Sequence, residues 1–238
     1  SKSFAYAVRN FVARKTDVFR KHVDAFIVQS EFQKRKFIEL GIQGNRIFIL
    51  PGLVPDVETR STERPEFISF VGRVSREKGI GDFLEAAQRL PELKFEVAGE
   101  VPGDFKPACK PENVNWRGFL KGAALDELFA RSKMIIVPSR WYEGFPNVVT
   151  RAMAHAVPVV TTNIGVFPEI VNNECGLTYP PGDINELVDR IRRIAGDREM
   201  AERMGQAGRR KALREYSSEA IYRKLMDIYS FALKPSDV

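Results

Sequence analysis

Cysteine, histidine and long apolar runs are what this chain has least of. Its 238 residues include two cysteines, Cys109 and Cys175, and two histidines, His22 and His155. The cysteines are far apart and in no metal-like spacing, which argues against a disulfide scaffold and fits a reducing, cytoplasmic setting. With so few soft ligands no metal is expected. No apolar run approaches the roughly 18 residues of a membrane span. Ser1 to Arg20 mixes charge with apolar residues throughout and does not read as a secretory leader. Glycines are missing where a dinucleotide site would need them. Gly72 and Gly79 do not make the three-glycine fingerprint, and bulky Arg73 stands where close approach is required, which argues against a nicotinamide enzyme.

What is present is ordinary for a globular protein: 44% hydrophobic and 29% charged residues. The net charge of +6 is unevenly placed. Residues 1–53 hold ten Lys/Arg and four Asp/Glu, so ten minus four already gives the whole excess and the rest of the chain is balanced. Such a segment is either a solvated helix face or a surface for a membrane, an anionic substrate or nucleic acid. No recognised nucleic-acid motif accompanies it, which argues against the last.

Helical spacing of Phe4, Ala7, Val8, Phe11, Val12, Val18 and Phe19 predicts a basic amphipathic helix over Phe4 to His22. A strand at Val23 to Gln29, a helix at Glu31 to Leu40 capped by Ser30, and a strand at Arg46 to Leu50 follow. These make a β-α-β fragment too small to be a domain alone. Residues 54–66 are rich in Pro, Thr, Ser and Glu and read as a linker. From Phe67 onward strands alternate with helices of about ten residues, which predicts an α/β fold with a parallel sheet covered on both faces. The expected strands are Phe67 to Val71, Lys94 to Ala98, Val114 to Arg117, Met134 to Pro138, Pro158 to Thr162 and Gly176 to Tyr179. In such sheets ligands bind outside the carboxyl ends of the strands. The loops after these strands carry the polar and glycine-rich signals.

One stretch organises the rest, Trp141 to Val160 between two buried-looking strands. Glu143 and Gly144 precede Pro146, which is tolerated in a helix's first turn because amides there lack intrahelical partners. The amides of Gly144, Phe145 and Asn147 are expected to face an anion, favoured by the helix dipole. An acid beside an anion site makes sense when the ligand also offers hydroxyl groups, as a sugar on a phosphate does. Arg73 and Lys78, five residues apart after the first strand of the sheet, would grip phosphate oxygens, one as a planar fork and one as a mobile point charge.

Gly72-Arg73 with Lys78-Gly79, Gly118-Phe119, and Glu143-Gly144-Phe145-Pro146-Asn147 leading to Ala152-Met153-Ala154 and Pro158-Val159-Val160 resemble the retaining glycosyltransferases of family 4. So do Gly165 to Val171, Gly176-Leu177 and Pro181-Gly182-Asp183, and the motifs occur in the family's order over nearly the whole chain. The resemblance implies a GT-B fold of two Rossmann-like domains, the C-terminal one binding a nucleoside diphosphate sugar. It implies that residues 1–53 end an N-terminal acceptor domain, that 54–215 form the donor-binding domain, and that 216–238 form a helix packing back toward the first domain. Most of that first domain is then missing, and the fragment alone should be inactive. By the same resemblance Glu143, Arg73 and Lys78 serve catalysis. The donor contacts would be Gly72, Arg73, Lys78, Glu143, Gly144, Phe145 and Asn147, with the base cradled by Arg117, Gly118, Phe119 and Leu120. The implied partners are a nucleotide sugar, a glycan or lipid-linked acceptor, and the missing domain, on the cytosolic side with a peripheral membrane contact through residues 1–53. No cofactor beyond the donor is implied.

One position departs from the pattern. The second acid of the family's Glu-seven residues-Glu motif falls at Arg151, which has no acceptor and the opposite charge. Three readings stay open: Arg151 donates to ribose oxygens, the donor is altered, or the protein is a degenerate sugar-nucleotide-binding module.

Overall fold

The computed structural model describes residues 5–9, 11, 21–54, 57, 65–103, 105, 107 and 109–233. Contacts divide the chain into two units, residues 1–51 with 222–238, and residues 52–221. The helix expected over 4–22 lies largely outside the described residues.

In the smaller unit β1 (Phe26–Val28) and β2 (Ile47–Ile49) pair in parallel, Phe26 opposite Ile47. Helix α1 (Glu31–Glu39) connects them. The Ser30 hydroxyl caps it by accepting from the Gln33 N–H at 3.2 Å, filling one of the orphan donors of the first turn. Phe48 packs on Phe231 with ring centroids 4.7 Å apart.

The larger unit is a six-stranded parallel sheet in the order β5-β4-β3-β6-β7-β8. Its strands are β3 (Phe67–Val71), β4 (Phe95–Ala98), β5 (Val114–Gly118), β6 (Ser132–Val137), β7 (Val159–Thr162) and β8 (Gly176–Tyr179). Its helices are α2 (Ile80–Gln88), α3 (Ala123–Arg131), α4 (Asn147–Ala154), α5 (Phe167–Ile170), α6 (Ile184–Gly196) and α7 (Arg198–Tyr216), while α8 (Ser218–Ala232) belongs from Tyr222 onward to the smaller unit. Alternation within the strands sorts side chains between two cores. Met134 and Ile136 join α2 and α6 on one face. Ile135 and Val137 join α3, α4 and α7 on the other. Strands buried on both faces read as continuous apolar runs, which is why β6 and β7 stand out in the sequence.

Some boundaries differ from the periodicity. β6 begins two residues earlier than expected, at Ser132, which pairs with Phe67 of β3; Ser132 Oγ donates to the Leu128 carbonyl and so accepts from Ser69 Oγ at 2.8 Å. Pro146 sits at the N-cap of α4 with φ −83° and ψ 80°, one step outside the helix rather than in its first turn. Of the expected linker at 54–66, Val54, Val57, Pro65 and Glu66 are described; Pro65 and Glu66 are exposed, whereas Val54 and Val57 are buried, Val54 with its N–H donating to the Tyr216 carbonyl at 2.9 Å.

Strand order reverses between β3 and β6: the chain adds β4 and β5 on one side, then returns to lay β6, β7 and β8 on the other. At such a switch point the connections leave in opposite directions and open a crevice at the carboxyl ends.

Candidate functional site

A cleft of about 260 Å³ opens at that point, between the ends of β3 and β6. Phe70, Val71, Ile136 and Val137 floor it, and Gly72, Arg73, Lys78, Ser139, Glu143, Phe145, Pro146, Asn147 and Val148 wall it.

Two loops form the walls and are tied at several points. The Arg140 N–H donates to the Glu77 carbonyl at 2.9 Å. Gly79, left-handed at φ +73°, lets its loop pass so close to the other that a Cβ there would lie 1.8 Å from the Pro138 carbonyl oxygen. That approach puts Lys78 beside Glu143. Gly99 plays the same part on the neighbouring side, since its Cβ would lie 1.8 Å from the Gly72 carbonyl oxygen. The Arg140 guanidinium donates to Asp82 at 3.0, 3.1 and 2.6 Å. Asp82 lies in the first turn of α2 with its side chain 3% exposed, while that of Arg140 is 54% exposed. The hydrogen bonds it donates to Asp82 hold the arginine's pKa above its usual value. Beside this pair the Tyr179 hydroxyl is buried and has no hydrogen-bond partner among the described residues, and burial pushes its pKa up. Behind the loop Thr162 Oγ1 donates to the Ser139 carbonyl at 2.8 Å.

At the centre, Lys78 Nζ lies 2.7 Å from each Glu143 carboxylate oxygen, and Ser139 Oγ donates to Glu143 Oε1 at 2.7 Å. The lysine is 30% and the glutamate 16% exposed along their side chains. Arg73 stands at the mouth, exposed, with Nη2 3.3 Å from Glu77 Oε1. Hydrogen bonding to the backbone, then to Ser75, and the charge of Arg73 hold the Glu77 carboxyl below its usual range. A cation, an acid and a hydroxyl over an apolar floor suit a ligand with both anionic and hydroxyl groups.

Of the sequence-predicted residues, Gly72, Arg73, Lys78, Glu143, Phe145 and Asn147 meet in this cleft. The Asn147 N–H, expected to face an anion, instead donates to the Phe145 carbonyl at 3.0 Å, because the chain turns there to enter α4. Phe145 packs edge-on to Tyr216. Gly144 is exposed beside the cleft. Arg117, Gly118, Phe119 and Leu120 lie at the end of β5, outside the cleft lining. Arg117 is held by Glu96 at 3.0 Å, the Gly118 carbonyl accepts from the Gly99 N–H, Phe119 is 72% exposed, and Leu120 packs on a small cluster of Phe67, Ala98 and Leu128.

Arg151 also lies outside the cleft lining, one turn beyond Asn147 on α4. Its Nη2 donates to Asp126 Oδ1 at 2.7 Å, and His155 Nε2 lies 3.0 Å from the same oxygen. His155 is stacked on Phe129 at 5.4 Å. Arg151 Nε and His155 Nδ1 are buried with no hydrogen-bond partner among the described residues. Burial lowers the His155 pKa against the pull of Asp126. Burial raises the Asp126 carboxyl, but hydrogen bonds and charge from Arg151 and His155 outweigh it and leave it below its usual range. Sequence reasoning missed Ser139 in the cleft lining, the pairing of Asp82 with Arg140 beside it, and Asp126 as the partner of Arg151. For Asp126 a signal existed: an arginine in place of an acid invites a compensating acid nearby. For the Asp82–Arg140 pair, 58 residues apart, there was none.

Among the described residues no group of three or more His, Cys, Asp and Glu could hold a metal ion, and no helix is long and apolar enough to cross a membrane.

A family model, Glycosyl transferases group 1, matches residues 56–211. The chain is 26% identical over 179 residues to the capsular polysaccharide biosynthesis glycosyltransferase CapM of Staphylococcus aureus, covering 71% of this chain and 47% of that protein. It is 30% identical over 168 residues to the MMP alpha-(1->4)-mannosyltransferase of Mycolicibacterium hassiacum, covering 66% and 40%. The chain thus spans about half the length of the curated relatives it matches. Among solved structures, sucrose-phosphate synthase from Thermosynechococcus elongatus aligns with TM-score 0.78 and 22% identity over 97% of this chain and 63% of that one. HepE from Anabaena in complex with UDP aligns with TM-score 0.80 and 19% identity over 90% and 65%. This likeness shows the fold, an α/β domain of GT-B type.

Proposed function

The chain belongs to the glycosyl transferases group 1 family, and on that premise we propose that it is the donor-binding part of a retaining glycosyltransferase using a nucleoside diphosphate sugar. One observation carries the reading: Lys78, Glu143 and Ser139 converge in a cleft at the switch point, with Arg73 at its mouth. The cations bind the diphosphate, and as the sugar–phosphate bond breaks they stabilise charge on the leaving group, a task suited to cations preorganised in a partly dry site. Glu143 accepts hydrogen bonds from the sugar hydroxyls. The loop from Arg117 to Leu120 holds the base through its backbone. One structural neighbour, HepE, was solved both with UDP and with UDP-glucose, which supports a donor of this chemical class.

Arg151 takes part indirectly. Its charge is met by Asp126 of α3, so a carboxylate from the neighbouring helix stands against the guanidinium that α4 presents beyond Asn147. The substitution is thus met by a neighbouring acid and the cleft residues Lys78, Glu143 and Ser139 keep their arrangement, which favours an active enzyme over a degenerate module. The acceptor is a glycan or lipid-linked glycan. Residues 1–51 with 222–238 belong with an acceptor domain like the one the longer relatives have room for. The basic residues of 1–53 favour the cytosolic face of a membrane.

The test is turnover by the full-length protein with labelled UDP-, GDP- and ADP-sugars, reading the anomeric configuration of the product by proton NMR. Transfer with retention, abolished by Lys78→Ala, supports the proposal. Inversion, or transfer indifferent to Lys78→Ala, overturns it.

A further inference from the structure

In the cleft the cation placed to meet an anionic ligand is paired with an acid of the same site. Two of the three ammonium donors of Lys78 reach the two oxygens of Glu143 at 2.7 Å, and Ser139 supplies a third hydrogen bond to that carboxylate. A bare anion entering must draw Lys78 away from Glu143 and then sit beside a carboxylate that has lost its counter-charge. Like charges a few ångströms apart in a partly desolvated cleft repel appreciably. A sugar attached to the same phosphate changes the balance, because its hydroxyls donate to the oxygens that Lys78 vacates. The total of hydrogen bonds is then conserved.

Resting on the donor-site reading above, we infer that Glu143 is a specificity-determining latch on Lys78: it lowers the affinity for anions lacking a sugar, including the nucleoside diphosphate product, and is released by sugar hydroxyls. The half-buried pair decides this, and the exposed Arg73–Glu77 pair does not. Exposed ion pairs contribute little, and Glu77 is 49% exposed against 16% for Glu143. The latch is also held in place. Ser139 is fully buried, its carbonyl is fixed by Thr162, and the adjoining Arg140 is fixed by Asp82 and Glu77, so Glu143 has little freedom to turn aside. A site built this way lets product go after transfer, since the diphosphate left behind no longer brings the hydroxyls that occupied Glu143.

Calorimetric titration of the full chain with UDP, GDP and ADP, each against its glucose conjugate, reads this directly. Glu143→Gln keeps the shape and removes the charge. It should tighten binding of the free diphosphate about tenfold and reduce the preference for the conjugate over the diphosphate by a similar factor. Ser139→Ala, which frees the latch without removing it, should move both quantities in the same direction by a smaller factor. Unchanged diphosphate affinity in Glu143→Gln, or weaker affinity, overturns the latch while leaving the donor site standing. If no nucleotide binds wild type or Glu143→Gln, the donor-site reading itself fails and the latch with it. Circular dichroism of each variant confirms that the fold is retained.

Discussion

Arg140→Met should destabilise the protein more than Asp82→Asn, although both break the same ion pair. Removing Arg140 strands a carboxylate whose side chain is 3% exposed and which receives three hydrogen bonds from it. Stranding a fully buried charge costs about 3–5 kcal/mol. Here water reaches the arginine's side of the pair, and the N-terminal dipole of α2 favours an acid in its first turn, so about 2–3 kcal/mol is expected. Asp82→Asn leaves a guanidinium that is 54% exposed and can be hydrated, so its loss should be about 1 kcal/mol. In the double variant the stranded charge is gone, and the cost should fall to about 1–2 kcal/mol instead of the sum near 3–4 kcal/mol. Urea unfolding followed by far-ultraviolet circular dichroism measures all three from midpoints at constant slope. The reasoning is refuted if Asp82→Asn costs as much as Arg140→Met, or if the double variant shows simple addition.

Tyr179→Phe should leave stability unchanged within about 0.5 kcal/mol or raise it slightly, since the hydroxyl it removes is buried without a partner among the described residues; a loss above about 1.5 kcal/mol in the same assay would refute this. The folded pKa of His155 lies below its ordinary 6.5, so the unfolded chain binds the proton first. Its stabilising share is therefore full above that value and falls as pH drops below it, and His155→Asn should flatten thermal stability between pH 7 and 5.5. Asp126, held below its ordinary 3.8, should add a second loss as pH falls through its lower folded value, and Asp126→Asn should remove that step. Arg151→Glu, which restores the motif's acid, should cost about 1–2 kcal/mol by facing Asp126, and Asp126→Asn in the same chain should recover most of it in thermal melts.

The sheet was legible because its strands are buried on both faces and the helices between them run at regular length. Met134 to Val137 and Val159 to Thr162 announce themselves as apolar runs between turn residues. The six cleft residues were legible because they sit in loops at strand ends, where glycine, proline and charge stand out against the core. Asp82, in contrast, reads as an ordinary acid in a helix's first turn, and only the fold brings it to Arg140. The state of Lys78 was hidden for the same reason: sequence pairs it with Arg73 as a ligand for an anion, while the packing of Gly79 against Pro138 hands it to Glu143. Asn147 shows a more local failure. Its N–H was assigned to a ligand on the strength of helix geometry, but Pro146 shifts the helix start by one residue and the N–H is spent on Phe145.

The most direct test of the cleft as a nucleotide-sugar site is calorimetric titration of UDP, GDP and ADP into the full chain, repeated with Lys78→Ala and Arg73→Ala. At least one nucleotide should bind, about tenfold or more weaker without Lys78 and less affected by loss of exposed Arg73. Binding of none, or binding indifferent to Lys78→Ala, would contradict it.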